Sequence, residues 1–264
     1  MRSFVKQFKF TEQVSILHQA QIKKCYKEAS IEMAPNPINP FHQWIIKLDG
    51  KSIKTQKKNI LAVPSPQLAA YVASEFNNQN QNKSFFSMPF LLLASHAVDL
   101  DFDASNREIL EMKFMFNLEN DFIFRRQLNS EQQHQTETQT LDPFLSQLYR
   151  KLNIQINSKD VRNLEYLNQQ GKIKLESYIR GINNWQLVSL NQKIEILQSC
   201  ILGLYLQLGL INIQMALGLK KQLIEFENFK ILSNRKENNE ENFKTNLEVA
   251  QLFSESITTQ SIMY

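Results

Sequence analysis

The residue types able to do chemistry in this chain are few and set apart. Four histidines, His18, His42, His96 and His134, show no HExxH spacing, and none stands beside a cysteine or in the turn that exposes a serine nucleophile. Each reads as structural or surface. Cys25 and Cys200 lie far apart without a CxxC or CxH partner, so the sequence offers neither a zinc site nor a disulfide framework. Asp99, Asp101 and Asp103 alternate like the opening of a calcium loop. That loop needs glycine at its sixth position and a bidentate glutamate at its twelfth, and Ala104 and Leu110 occupy those places. The three carboxylates read instead as an acidic helix entrance. Gly50-Lys51-Ser52 has the ending of a phosphate loop, but the glycine required five residues earlier is Ile45, inside an apolar run. Without a nucleophile, metal or phosphate motif, and with carboxylates scattered, the sequence favours a protein that is not an enzyme and offers no metal site.

The charge balance narrows the partners. Thirty basic against 26 acidic residues give +4, too mild an excess to mark a nucleic-acid binder, and no dense basic patch interleaves with aromatics. The first residues, MRSFVKQFKF, are basic, amphipathic and free of acids before Glu12, like an organellar transit peptide, with an ordinary basic arm as the alternative. They lack the long apolar centre of a secretory signal.

Elements able to position a site are clearest from Trp44 to Phe76. Trp44–Leu48 is an apolar-rich strand, and Asp49-Gly50 is the dipeptide of a tight two-residue hairpin. Lys51–Thr55 alternates as a return strand, Gln56–Asn59 is a second turn, and Ile60–Val63 completes a three-strand meander that stops at Pro64. Ser65 caps the next element, with Pro66 at its first position and Leu68, Ala69, Val72, Ala73 and Phe76 at helical spacing. Before this unit, the prolines between Pro35 and Pro40 read as an extended lead-in, and the fold begins near Ile31. After it, a polar run from Asn77 to Asn82 reads as a surface loop, and Met88-Pro89 opens a buried helix through Asp99.

From Ser105 to Phe124 the apolar residues Ile109, Leu110, Phe114, Met115, Leu118 and Phe122 recur at helical spacing and read as core. A Gln- and Thr-rich connection, Gln127–Thr140, separates a helical half. There Asp142 is expected to cap a helix with Pro143 in its first turn, followed by segments Ser158–Leu167 and Ile173–Ile182. Ser189 is expected to open a long helix that carries no charge from Ile196 to Leu219. Gln198, Gln207, Asn212 and Gln214 argue for a central buried helix or helix pair over a membrane span. Gly203, Gly209 and Gly218 read as close-packing points or a break. The helix continues from Lys220 to Leu232, a charged loop follows from Arg235 to Glu241, and Leu247, Ala250, Leu252 and Phe253 mark a last striped element. Ser254–Thr259 is expected to be strand or tail. The fold class is therefore α+β: residues 1–30 an arm or targeting segment, 31–130 a small β-rich domain with an antiparallel meander and helices, and 131–264 a larger all-helical domain.

An ordered set of short motifs then comes into view: Leu48-Asp49-Gly50-Lys51, Lys54-Thr55, Val63-Pro64-Ser65, Glu75-Phe76 with Gln79, Met88-Pro89, Ala97 with Asp99, Arg107, Asp121 with Arg125 or Arg126, Leu141-Asp142-Pro143, and Phe253-Ser254-Glu255-Ser256. Together they resemble the mitochondrial F1 complex assembly factor 2 family, the chaperones of the ATP synthase α subunit, over roughly residues 30–260. Phe76 and Leu141 stand where that family carries tryptophan, and Leu223–Glu227 carries its acidic run without the Trp-Gly that follows it. The resemblance implies a matrix chaperone without cofactor. It assigns fold-defining roles to Asp49, Gly50, Pro64, Glu75, Phe76, Met88, Pro89, Asp142 and Pro143, and partner binding to Glu225 and Glu227. The alternative it leaves is a diverged member serving as a structural accessory subunit of ATP synthase or another mitochondrial complex.

Overall fold

A computed structural model describes residues 26–79, 88–124, 141–146, 169–227 and 240–258, together with positions 135, 139, 151, 152 and 154. The chain divides into two compact units, the first ending at Ser95 and the second beginning at His96.

In the first unit, β2 (Trp44–Leu48) is the strand on which the others assemble. β1 (Ala29–Met33), which the prolines and the polar arm conceal in the sequence, pairs antiparallel along its whole length, from Ala29 opposite Leu48 to Met33 opposite Trp44. The Asp49-Gly50 turn forms as expected, with φ of 48° and 78°, and leads into β3 (Lys51–Ser52). The expected meander does not form. β4 (Ala62–Val63) returns to β2, Val63 opposite Trp44 and Ala62 opposite Ile45, so β3 and β4 share one edge of β2 end to end. Ile46 is the point of exchange: its carbonyl accepts from Ile53 N (3.0 Å) and its N–H donates to Leu61 O (3.3 Å). The physical reason is burial. Ile46, Leu61 and Val63 are solvent-inaccessible, so a third strand placed outside the two-residue β3 would leave buried backbone of β2 without partners. Residues 54–60 are thereby pushed out as a small side loop closed by a Lys54–Ile60 bridge.

α1 (Pro66–Asn77) starts as its residues dictate, with Ser65 extended, its hydroxyl accepting from Leu68 N and Pro66 in the first turn. Leu68, Ala69, Val72, Ala73 and Phe76 are buried against β1, β2 and β4. α2 (Pro89–Asp101) opens at the expected proline, and the boundary between the units falls within it. Asp99 and Asp101 thus close α2, and only Asp103 caps the next helix.

The second unit is helical: α3 (Ala104–Glu119), a 3-10 turn (Phe122–Phe124), α4 (Gln169–Gly181), α5 (Asn184–Leu197), α6 (Cys200–Gln207), α7 (Ile213–Glu227) and α8 (Glu240–Thr258). With the four-stranded antiparallel sheet ahead of it, this establishes the α+β class. Ser189 does not open α5. Asn183 does, through a capping box with Gln186, while Ser189 lies buried mid-helix with its hydroxyl donating to Ala250 O. The charge-free run is cut into three helices: Gln198 ends α5 in the left-handed region (φ 57°), Ser199 caps α6, and Gly209 (φ 68°) follows it. Gly203 is a close-packing point, since a Cβ there would meet Ile194 Cγ1 at 2.6 Å, whereas Gly218 faces open space. No helix among the described residues is long and apolar enough to cross a membrane. The expected C-terminal strand or tail is instead the last turns of α8, where Leu247, Ala250 and Phe253 are fully buried. Residues 158–167 and 228–239 lie outside the described residues.

Candidate functional site

Several of the short motifs converge around the end of α1. The Glu75 carboxylate accepts from Phe90 N (2.8 Å) and Leu91 N (2.9 Å), satisfying two orphan amides at the start of α2. Burial pushes its pKa up to about 7 against those two hydrogen bonds. Phe76 is buried, and its carbonyl and Gln79 Oε1 both accept from the Tyr26 hydroxyl, at 2.8 and 2.6 Å. The Asn77 amide exchanges a pair of hydrogen bonds with Ala29, Oδ1 accepting from its N–H (2.8 Å) and Nδ2 donating to its carbonyl (3.0 Å). Asp49 does more than turn the hairpin. Its carboxylate also accepts from the N–H groups of Lys27 and Glu28. A recess of about 260 Å³ borders Glu75 between Tyr71, Gln79, Met88 and Phe90. The Glu75 carboxylate in its lining is committed to backbone amides and holds the start of α2 to the end of α1.

In the second unit Arg107 and Asp121 are likewise spent on helix ends. Arg107 donates to Glu111 (2.7 Å) and Asn184 Oδ1 (2.6 Å), and to the carbonyls of Arg180 (3.0 Å) and Ile182 (2.8 Å), tying α3 to the corner between α4 and α5. Asp121 accepts from Ser199 Oγ (2.9 Å) and Ile201 N (3.0 Å) at the start of α6, and burial raises its pKa despite those donors. Lys193 is solvent-inaccessible and donates to Gln207 Oε1 (2.7 Å) and Ser254 Oγ (2.8 Å), neither of them charged. Burial lowers its pKa to about 7, with Glu255 opposing.

The second unit also exposes an apolar row. Ile109, Met112 and Phe116 lie at i, i+3 and i+7 on α3 and are 54%, 62% and 67% exposed, while Phe114 and Leu118 on its other side are buried. Ile109 therefore leaves the core stripe expected of it. The spacing that would have revealed the row was present in the sequence, but it overlapped a second stripe of equal apolarity. Glu108 and Glu119 flank the row on the same exposed side of the helix. Such a row fits association with another apolar surface and no chemistry on a small molecule.

Residues 23–149 match the family model described as ATP12 chaperone protein. Over that segment the chain is similar to the ATP12 chaperone family. Mitochondrial Atp12 of Schizosaccharomyces pombe is 20% identical over 232 residues, spanning 83% of this chain and 77% of that protein. The crystal structure of Atp12 from Paracoccus denitrificans superposes with a TM-score of 0.74 at 17% identity, covering 89% of this chain and 98% of the other. The Atu1473 protein of Agrobacterium tumefaciens gives 0.72 at 18%, covering 89% and 86%. These likenesses show that the chain shares the fold of those two structures.

Against this ATP12 framework the expected site residues fall in different places. Asp49, Gly50, Glu75, Phe76, Met88 and Pro89 lie in the first unit, where Glu75 joins the end of α1 to the start of α2. Pro64 ends β4. Leu141 is itself helical, so Asp142 and Pro143 lie inside a helical turn and Asp142 is not its cap. Glu225 and Glu227 are in the final turn of α7, their side chains outside the described residues. Asn77, Lys193, Met112 and Phe116 were absent from the expected set, and the first two have no local pattern that marks them. Among the described residues no group of three His, Cys, Asp or Glu is placed to hold a metal ion, and the matching family model is described as a chaperone protein.

Proposed function

We propose that this protein, an assembly chaperone of the ATP synthase F1 sector by family, works in the mitochondrial matrix by capturing the free α subunit. It covers an assembly surface of α until another subunit replaces it. The exposed row Ile109, Met112 and Phe116 carries this reading, because folding has left three large apolar side chains in water on one helix face. A subunit awaiting its neighbours exposes apolar surface that aggregates, and a partner that binds it reversibly suppresses that loss by mass action. Glu225 and Glu227 at the end of α7 supply the acidic part of the same contact, toward basic residues at the rim of the client surface.

Co-purification of α from mitochondria tests the reading. Replacement of Ile109, Met112 and Phe116 by serine is expected to abolish capture of α without lowering the thermal midpoint, and Glu225→Gln with Glu227→Gln to weaken it in a salt-dependent manner. Unchanged capture by both variants would overturn the assignment. Migration of the wild type on native gels with mature ATP synthase, and never with unassembled α, would instead make the protein an accessory subunit.

A further inference from the structure

β1 is an edge strand with a short stretch of free backbone. Its amides alternate in direction: Ala34 N donates to Gln43 O, and Asp49 N donates to Glu28 O, so even-numbered residues face β2 and Ala29, Ile31 and Met33 face outward. The outward groups of Ala29 are taken by the Asn77 amide, which pairs with them as a residue of a neighbouring strand would. Those of Ile31 and Met33 have no partner among the described residues. Both side chains are exposed, at 38% and 62%, and they share a face with the fully buried Ile46, while Glu32 and Lys47 form an ion pair on the opposite face.

We infer that this edge is a docking site for an extended segment of the client protein, added as a fifth strand, apolar at alternate positions over Ile31 and Met33 and basic opposite Glu32. The inference rests on the chaperone reading and adds a second contact to it. Two open N–H and C=O pairs spaced two residues apart fit an extended backbone and nothing more compact. The side chains add specificity, since the face shared with Ile46 rewards apolar groups and Glu32 rewards a lysine or arginine across from it.

A second copy of this chain fits less well in every register. Pairing Ile31 with Met33 of a copy sets Glu32 directly opposite Glu32, a like-charge contact. Pairing Ile31 with Ile31 puts Met33 opposite Ala29, which Asn77 already occupies. Pairing Met33 with Met33 puts Ile31 opposite Pro35, which has no N–H.

The test uses the full chain and a capped heptapeptide alternating valine with lysine. Binding is expected to slow exchange of the Ile31 and Met33 amides and to leave Ser30 and Glu32, already bonded to β2, unchanged. Met33→Pro removes an outward N–H without touching the ladder to β2 and is expected to weaken the peptide at least tenfold. Wild-type protein with a peptide N-methylated at alternate residues should show the same loss, which guards against misfolding of the variant. Equal affinities, or protection confined to α3, would overturn the proposal. So would Ile31 and Met33 amides already protected in the free protein, which would place residues 1–25 on the edge, or a dimer forming at working concentration. Repeating the exchange with purified α separates the two readings. Peptide binding without capture of α removes the proposed function and leaves the edge. Capture of α with both amides still exchanging freely removes the edge and leaves the function.

Discussion

Lys193→Met should make this protein more stable near neutral pH, and the size of the gain should depend on pH in a set direction. The lysine is solvent-inaccessible, held by one amide and one hydroxyl, and its pKa falls from 10.5 to about 7. In the unfolded chain it titrates near its ordinary value. The folded-state pKa is therefore the lower one, the unfolded state binds the extra proton between about pH 7 and 10.5, and wild-type stability rises with pH across that window. Below pH 7 the full cost of enclosing the charge applies, at most ~5 kcal/mol from the size of the shift, and about half that once relaxation and water entry are counted. Methionine fills nearly the same volume without charge and gives up two hydrogen bonds at about 1 kcal/mol each. The net expectation is a gain of roughly 0.5–3 kcal/mol at pH 6.5 that vanishes or reverses by pH 10. Urea denaturation of both proteins at pH 6.5, 8 and 10, read by far-UV circular dichroism, measures it. A stability difference that does not change with pH, or a methionine variant less stable at pH 6.5, would refute the account of Lys193 as a buried cation.

Further changes test the packing and the caps. Gly203→Ala brings a methyl to 2.6 Å from Ile194 Cγ1 and to 3.2 Å from its backbone nitrogen, and should cost about 1–3 kcal/mol in chemical denaturation. Asn183→Ala removes the side-chain acceptor for Gln186 N, one half of the capping box of α5, and should cost about 1 kcal/mol, with a matching fall in thermal midpoint. Asn77→Ala leaves the buried Ala29 amide and carbonyl unpaired, at about 2–3 kcal/mol, and also frees the register that pairs Ile31 with Ile31 of a copy. Sedimentation velocity should therefore show this variant, and not the wild type, dimerising with concentration.

What the sequence revealed was governed by local rules. The Asp49-Gly50 turn, the Ser65 cap with Pro66 behind it, and the opening of α2 at Pro89 each follow from residues within one turn of the feature, and each stands as expected. What it concealed depends on partners far along the chain. The return of β4 to β2 is set by the burial of Ile46 and Leu61, which no alternation within residues 51–63 announces. β1 is an edge strand in which only Ala29 is buried and Ile31 and Met33 stay exposed, so it lacks the apolar run that marks an inner strand. The break at Gln198 is a left-handed residue without glycine, licensed by Ser199 and Asp121 organising the start of α6. The order of the short motifs carries the family likeness in the sequence. The apolar row on α3 was not legible there, because Leu110, Phe114 and Leu118 supply an equally good stripe, and only packing decides which of the two faces inward.

The bracketing of β1 between Asn77 and Pro35 carries a consequence for life among unfolded chains. A protein that handles aggregation-prone clients risks becoming the nucleus on which they polymerise, and a long free strand edge is the usual seed. Here the stretch left open among the described residues is two backbone pairs long, stopped at one end by a side-chain amide and at the other by a residue without an N–H. An added strand can be held through that window and then released, but its own ends overhang a plugged edge, so the growth of a cross-β stack finds no continuous template on the chaperone itself.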